Sequence, residues 1–317
     1  MEKITLTPCA SLGEVDPERI VAFNIGADGL LYILLAIKPL DYRCGAQPDQ
    51  ANFPKIHPES AQSYDLYRLE HGELRLISTI RDEKFNIHHI QPLGSDRLLL
   101  ACARCQRHAD ETADENGRIY RLDGTFIRGI TLGDGIQNLS VNPDGLIWAS
   151  YFDEGIFGNF GWKDPLGSAG LVAWKEDGTK AYEFEPDENL GPMADCYATN
   201  ADGDDLWIYY YTDFPLVRIR DFTVRQYWEV PIEGAGELAV AGNQILLFGS
   251  YEDRNLHHLL ELGQSREASP RHQFTLHDES GGLIVAQRVA GRGNTIFLMR
   301  GREIFRITVE AAKDALP

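Results

Sequence analysis

SVNPDGLIWASY, residues 140–151, is a short strand, a tight turn and a strongly apolar strand in one phrase. Asn-Pro-Asp-Gly is turn chemistry, because Asp bonds its own backbone and Gly accepts positive φ without steric cost. The phrase recurs as IVAFNIGADGLLYILLAI (20–37), IQPLGSDRLLLACA (90–103), MADCYATNADGDDLWIYYY (193–211), ELAVAGNQILLFGS (237–250) and LIVAQRVAGRGNTIFLM (283–299). Turns of this composition join tight hairpins. A second hairpin follows in each unit, as in YDLYRLEHGELRLISTI (64–80), GRIYRLDGTFIRGITL (117–132) and GLVAWKEDGTKAYEF (170–184). Four strands recurring at about 40 to 70 residues read as propeller blades.

These repeats predict an all-β fold, a six-bladed β-propeller of four-stranded antiparallel blades spanning 1–317 as a single domain. The last unit is one strand short. KITLTP (3–8) alternates as a strand does and is expected to supply the missing outer strand, so that the N-terminal strand closes the last blade.

The 317 residues are 43% apolar, enough for a core. With 30 Lys plus Arg against 48 Asp plus Glu, the formal charge is −18. Such a surface repels phosphate, so nucleic acid and anionic membranes are not expected as partners. MEKITLTPCASLGEVD lacks an apolar signal-peptide core, and the longest apolar run, Leu30–Ile37, is too short for a bilayer. A soluble cytoplasmic protein is the expectation. Five cysteines at irregular spacing, Cys9, Cys44, Cys102, Cys105 and Cys196, do not form a disulfide framework.

Propeller geometry orders the candidate site. The innermost strand of each blade starts at one face, and the loop between the second and third strands returns to that face. Three of these loops are long: 38–63, 104–117 and 152–170. Loops of this length without their own structure often cover ligands. The starts of the innermost strands carry polar residues: Glu18, Asn86, His88, His89, Gln137, Asn138, Asp195 and Glu237. Oxygen donors converging from several blades suit a hard cation such as calcium. A small polar ligand at this face would meet His89 and Glu237 from the rim and Asp153, Phe157, Trp162 and Asp213 from the loops.

With these turns and rim residues, the chain resembles the six-bladed superfamily of SMP-30/gluconolactonase and NHL-type propellers. The resemblance implies one divalent cation, calcium or another, held by Glu18, Asn86, Asn138 and Asp195. Glu18 precedes the first ADG turn, Asn138 stands in IQNLSVNPDGLIW, and Asp195 in ADCYATNADGDDLW. PERI stands where that family has Glu-Gly-Pro, and two histidines follow Asn86. The implied activity is lactone or ester hydrolysis, the cation polarising the carbonyl, with Asp195 taking a proton and His88 assisting.

A rival reading is a non-catalytic scaffold that docks an unidentified protein through Phe157, Phe160 and Trp162. Cys102-Ala-Arg-Cys105 reads as a buried thiol and a loop-proximal one rather than a zinc or redox pair. Tyr151-Phe-Asp153, Tyr211-Thr-Asp213 and Tyr251-Glu-Asp253 recur where a second strand leaves the core. They suggest a shared packing role, each Tyr lying between blades and each Asp capping its loop.

Overall fold

A computed structural model describes residues 2–44 and 53–317. The fold is an all-β six-bladed propeller of four-stranded antiparallel blades. Blade one comprises Ile20–Ile25, Leu31–Ala36, Gln62–Glu70 and Glu73–Glu83. Blade two comprises His89–Leu93, Arg97–Ala101, Gly117–Arg121 and Phe126–Ile130, and blade three Ile136–Val141, Ile147–Tyr151, Leu171–Trp174 and Lys180–Glu183. Blade four is Asp195–Asp202, Asp205–Tyr211, Leu216–Arg220 and Thr223–Trp228. Blade five is Glu237–Ala241, Gln244–Phe248, His257–Leu262 and Ala268–His277, and blade six contains Arg288–Arg292, Thr295–Arg300 and Glu303–Thr308.

The chain divides into two compact units. One is Met1–Val15, His71–Glu73 and Phe184–Pro317, and the other Asp16–Glu70 and Leu74–Glu183. The second unit carries blades one to three, whose first strands pack side by side in the order Ile20–Ile25, His89–Leu93, Ile136–Val141. The first unit carries blades four to six, and there Asp195–Asp202, Glu237–Ala241 and Arg288–Arg292 pack in the same way.

The NPDG turn forms as its residues require. Gly145 has φ +86°, its N–H donates to Asn142 O at 2.9 Å, and Asp144 Oδ1 accepts from Leu146 N at 3.2 Å. The strand after it, Ile147–Tyr151, is buried at every position. Strands covered on both faces need apolar residues throughout rather than in alternation. Blades one and two bury Leu34, Leu66, Ile80, Ile90, Leu98 and Leu100 in one cluster, while blades four and five bury Trp207, Leu216, Leu238, Leu247 and Leu260 in another.

The N-terminal segment does complete the last blade, but not through KITLTP. Ala10–Ser11 pairs antiparallel with Ile304 and Glu303 as the fourth strand of blade six. Glu2–Thr5 instead runs parallel to Phe274–His277 as a fifth strand of blade five. Packing decides the placement: Ile4 joins Phe274, Leu276, Phe305 and Ile307 in one buried cluster. The C-terminal tail, which reads as polar, ends in a helix, Val309–Asp314. Thr308 caps it by accepting from Ala311 N at 3.1 Å, and Val309 and Ala312 are fully buried.

Among the described residues no helix is long and apolar enough to cross a membrane.

Candidate functional site

Within the unit of blades four to six, Glu237 stands at the start of the innermost strand of blade five and lines a cavity of about 370 Å3. Apolar side chains form most of the wall: Phe248, Ile284, Val285, Ala286, Val289 and Leu298. Polar groups come from Glu237, Arg254, Asn255 and His257. A concave, mostly apolar space with a few convergent polar groups is the usual form of a small-molecule site.

The carboxyl of Glu237 is held from two sides. Its Oε1 accepts from Leu238 N at 3.1 Å, and backbone at Gly291 also supports the charged form. Burial outweighs both and pushes its pKa up to about 8. At neutral pH Glu237 is therefore an uncharged acid, a hydrogen-bond donor as well as an acceptor.

His257 is 5% exposed and stacks on Phe248, with centroids 4.1 Å apart. Burial, with the neighbouring His258, drops its pKa to about 4, so the ring is neutral. Its Nδ1 accepts from Gly249 N at 3.3 Å, which leaves the ring proton on Nε2. Arg254 reaches the cavity from the short loop after Gln244–Phe248. Its Nη1 donates to Gly234 O at 2.8 Å, and its guanidinium lies 5.9 Å from the Tyr251 ring centre.

Asp213 lines a different space, a cleft of about 750 Å3 beside the outer strands of blades four and five, with Glu229, Glu267, Tyr227 and Pro231. The structure thus does not bring Asp213 and Glu237 to one cavity. Asp195, in the same unit, is half-buried at the start of blade four and pairs with Tyr211.

In the unit of blades one to three, the remaining rim residues are engaged locally. Glu18 is exposed in the short turn Pro17–Arg19. Asn86 is fully buried, and its Nδ2 donates to Asp41 O at 2.7 Å and Lys55 O at 3.0 Å. It staples the two ends of the blade-one loop, whose middle, 45–52, lies outside the described residues. Asn138 Nδ2 donates to Ser150 Oγ at 3.3 Å. His88 Nδ1 accepts from Ala103 N at 3.2 Å, and its ring meets Tyr42 edge-on at 5.1 Å. Burial lowers the pKa of His89 to about 4, so it is a neutral side chain.

The four residues named by the gluconolactonase resemblance are divided between the two units, Glu18, Asn86 and Asn138 in one and Asp195 in the other. Asn86 spends its Nδ2 donors on two carbonyls, while its Oδ1 is buried with no hydrogen-bond partner among the described residues. Among the described residues no group of three or more His, Cys, Asp or Glu side chains is placed to hold a metal ion.

The aromatic loop of blade three is mostly internal. Trp162 is 7% exposed, and its indole N–H donates to Cys105 O at 2.8 Å. Phe160 is half-buried beneath Arg104, 4.4 Å from its guanidinium, whereas Phe157 is 71% exposed. A docking patch built on all three rings therefore reduces to Phe157, because the other two hold the loop together. Asp153 is exposed and accepts from Glu154 N at 2.7 Å.

Sequence reasoning missed the groups that organise these loops. Arg104 makes a two-point pair with Asp134, Nε to Oδ1 at 2.9 Å and Nη2 to Oδ2 at 2.8 Å, and also pairs with Glu154. Both Arg104 and Asp134 are buried. Asp114 Oδ2 lies 3.3 Å from His57 and Oδ1 3.2 Å from His108, tying the blade-one and blade-two loops together. Cys102 and Cys105 are both fully buried, and burial raises both thiols, Cys102 to about 12. Of the three Tyr-x-Asp repeats, only Tyr151 is buried, donating to Leu132 O at 2.6 Å, while Tyr211 and Tyr251 are exposed. Blade four instead buries Tyr209 and Tyr210, just ahead of Tyr211, their hydroxyls donating to Ile232 O at 2.5 Å and Gly191 O at 3.0 Å. Asp253 caps its loop as expected, accepting from Asn255 N at 2.8 Å.

The family model for the YxzG family matches residues 178–307, essentially blades four to six. No curated protein matches the chain. A chain from the crystal structure of a mitotic checkpoint complex superposes with a TM-score of 0.51 at 9% identity, covering 96% of this chain and 93% of that one. The β-propeller domain of Cps50 (Swd1) from Myceliophteria thermophila gives a TM-score of 0.48 at 8% identity, over 91% and 83% of the two chains. At 9% identity the likeness to the mitotic checkpoint complex chain shows the fold alone.

Proposed function

We propose that this protein binds a small organic molecule in the cavity beside Glu237. The observation that carries this is the Glu237 acid, uncharged at neutral pH, in the wall of an apolar cavity of about 370 Å3. Glu237 is half-buried with no counter-ion contributing to its titration, and such a carboxyl gains little as a packing element. It is well suited to hydrogen-bond a ligand atom out of water. The volume falls at the small end of the range for such sites, about 300–1,000 Å3.

A fragment screen by ligand-observed NMR tests the reading. Val285, 53% exposed at the cavity wall, is replaced to give Val285→Trp, which narrows the space without opening a buried void. Fragments that bind the wild-type chain should lose binding to the variant. Absence of hits, or hits of unchanged affinity in Val285→Trp, overturns the proposal.

A further inference from the structure

We infer that the molecule taken by this cavity is a carboxylic acid bound as its anion, with Arg254, Asn255 and Glu237 receiving the head and Phe248, Ile284, Val289 and Leu298 the apolar body. The inference rests on the small-molecule reading above and adds the chemical class of the ligand.

The polar end of the cavity is rich in donors and short of acceptors. Arg254 has donors only. One of its nitrogens is used by Gly234 O, and among the described residues it forms no ion pair, so the rest of the guanidinium fork remains for a carboxylate. His257 has its acceptor nitrogen occupied by Gly249 N and carries its proton on Nε2. Glu237 already spends Oε1 as an acceptor on Leu238 N, and in its acid form it adds an O–H donor. Asn255 is the one lining side chain that offers an uncommitted neutral acceptor.

A cation placed here would face Arg254 with no anion in the wall. An alcohol or amide would leave the guanidinium unmatched, whereas a carboxylate satisfies it with two parallel bonds. Glu252 and Asp253 stand on the same loop as Arg254, but neither lines the cavity. A phosphate group would bring a second negative charge against a single arginine. The apolar remainder of the wall then selects a hydrocarbon body rather than a second polar group.

Titration calorimetry on the full chain with octanoate, octanamide and octylamine isolates the head group, because the three share one tail. Octanoate should bind at least about tenfold more tightly than either analogue. Arg254→Gln, which keeps a donor for Gly234 O, should weaken octanoate about tenfold and leave octanamide unchanged. Equal binding of the three heads, or octanoate binding indifferent to both Arg254→Gln and Val285→Trp, overturns the carboxylate assignment. If octanoate fails to bind while fragments of another class are displaced by Val285→Trp, the cavity reading stands and this inference alone falls. If neither octanoate nor any fragment binds, both fall.

Discussion

A Cβ added to Gly291 would lie 2.8 Å from Oε1 of Glu237 and 2.5 Å from Leu238 O. The innermost strands of blades five and six approach this closely because one of them carries no side chain at that point. The space so released is what the carboxyl occupies.

Gly291→Ala forces either the carboxyl or the strand to move. Overpacking of this kind costs roughly 1–3 kcal/mol. Chemical denaturation should show a lower midpoint at unchanged slope, and ligand binding in the cavity should weaken. A midpoint equal to wild type would show that the carboxyl is not confined by this glycine.

Glu237 also sets a pH dependence. Its folded pKa of about 8 lies above the ordinary value of 4.5, so the folded chain binds the proton more tightly than the unfolded one. The stabilisation is complete below the unfolded pKa and is lost as pH rises from about 4.5 to 8. Glu237→Gln removes the titration, so its stability should fall less than that of wild type over that window. Urea midpoints at pH 5 and pH 8.5 measure the difference, and parallel losses in both proteins would exclude the shifted acid.

Arg104 and Asp134 form a buried pair with good geometry. Arg104→Ala leaves the Asp134 carboxylate without its partner and removes the guanidinium between Phe152 and Phe160, 5.2 Å and 4.4 Å away. Breaking such a pair costs about 3–5 kcal/mol. Replacing both, as Arg104→Met with Asp134→Leu, should recover much of that loss, since no charge is then buried alone. A double variant no better than Arg104→Ala would place the cost in packing rather than in charge.

Asn86 distinguishes a staple from a ligand for a cation. Asn86→Asp exchanges a donor for an acceptor beside two carbonyl oxygens, Asp41 O and Lys55 O. Leaving buried carbonyls unpaired costs about 1–3 kcal/mol each. The melting temperature should fall, and calcium should not restore it. Calcium-dependent recovery in Asn86→Asp would return this residue to a cation site.

Ile4 tests the unexpected fifth strand of blade five. It is 4% exposed among Phe274, Leu276 and Phe305. Ile4→Ala should cost about 2–5 kcal/mol. Hydrogen exchange should accelerate at Phe274–His277, the partner strand, and protection unchanged there would mean that the pairing is dispensable.

The residues show why some of this was legible beforehand. NPDG forms a turn from its own chemistry, and LIWASY is too apolar to lie anywhere but inside, so blade three could be read without its neighbours. The same held for every inner hairpin. KITLTP was legible as a strand, but its partner was not, because alternation specifies a strand's faces and not which edge receives it. Among the site residues, Glu237 was recognisable as a polar residue where packing did not ask for one. Arg254 carried no signal beyond its place in the short loop YEDRNL. Trp162 was misleading for a general reason: an aromatic in a loop has the same composition whether it faces solvent or roofs its own loop.

Local physics therefore carried the chain from sequence to six hairpin-built blades, since turn preference and hydrophobic runs act within a dozen residues. Tertiary structure alone decided that Ala10–Ser11 and not KITLTP finishes blade six, that Asn86 binds carbonyls, and that Glu237 holds its proton. Each of those depends on groups distant in sequence. Burial and unpaired backbone are properties of an environment, and no residue's own identity states them.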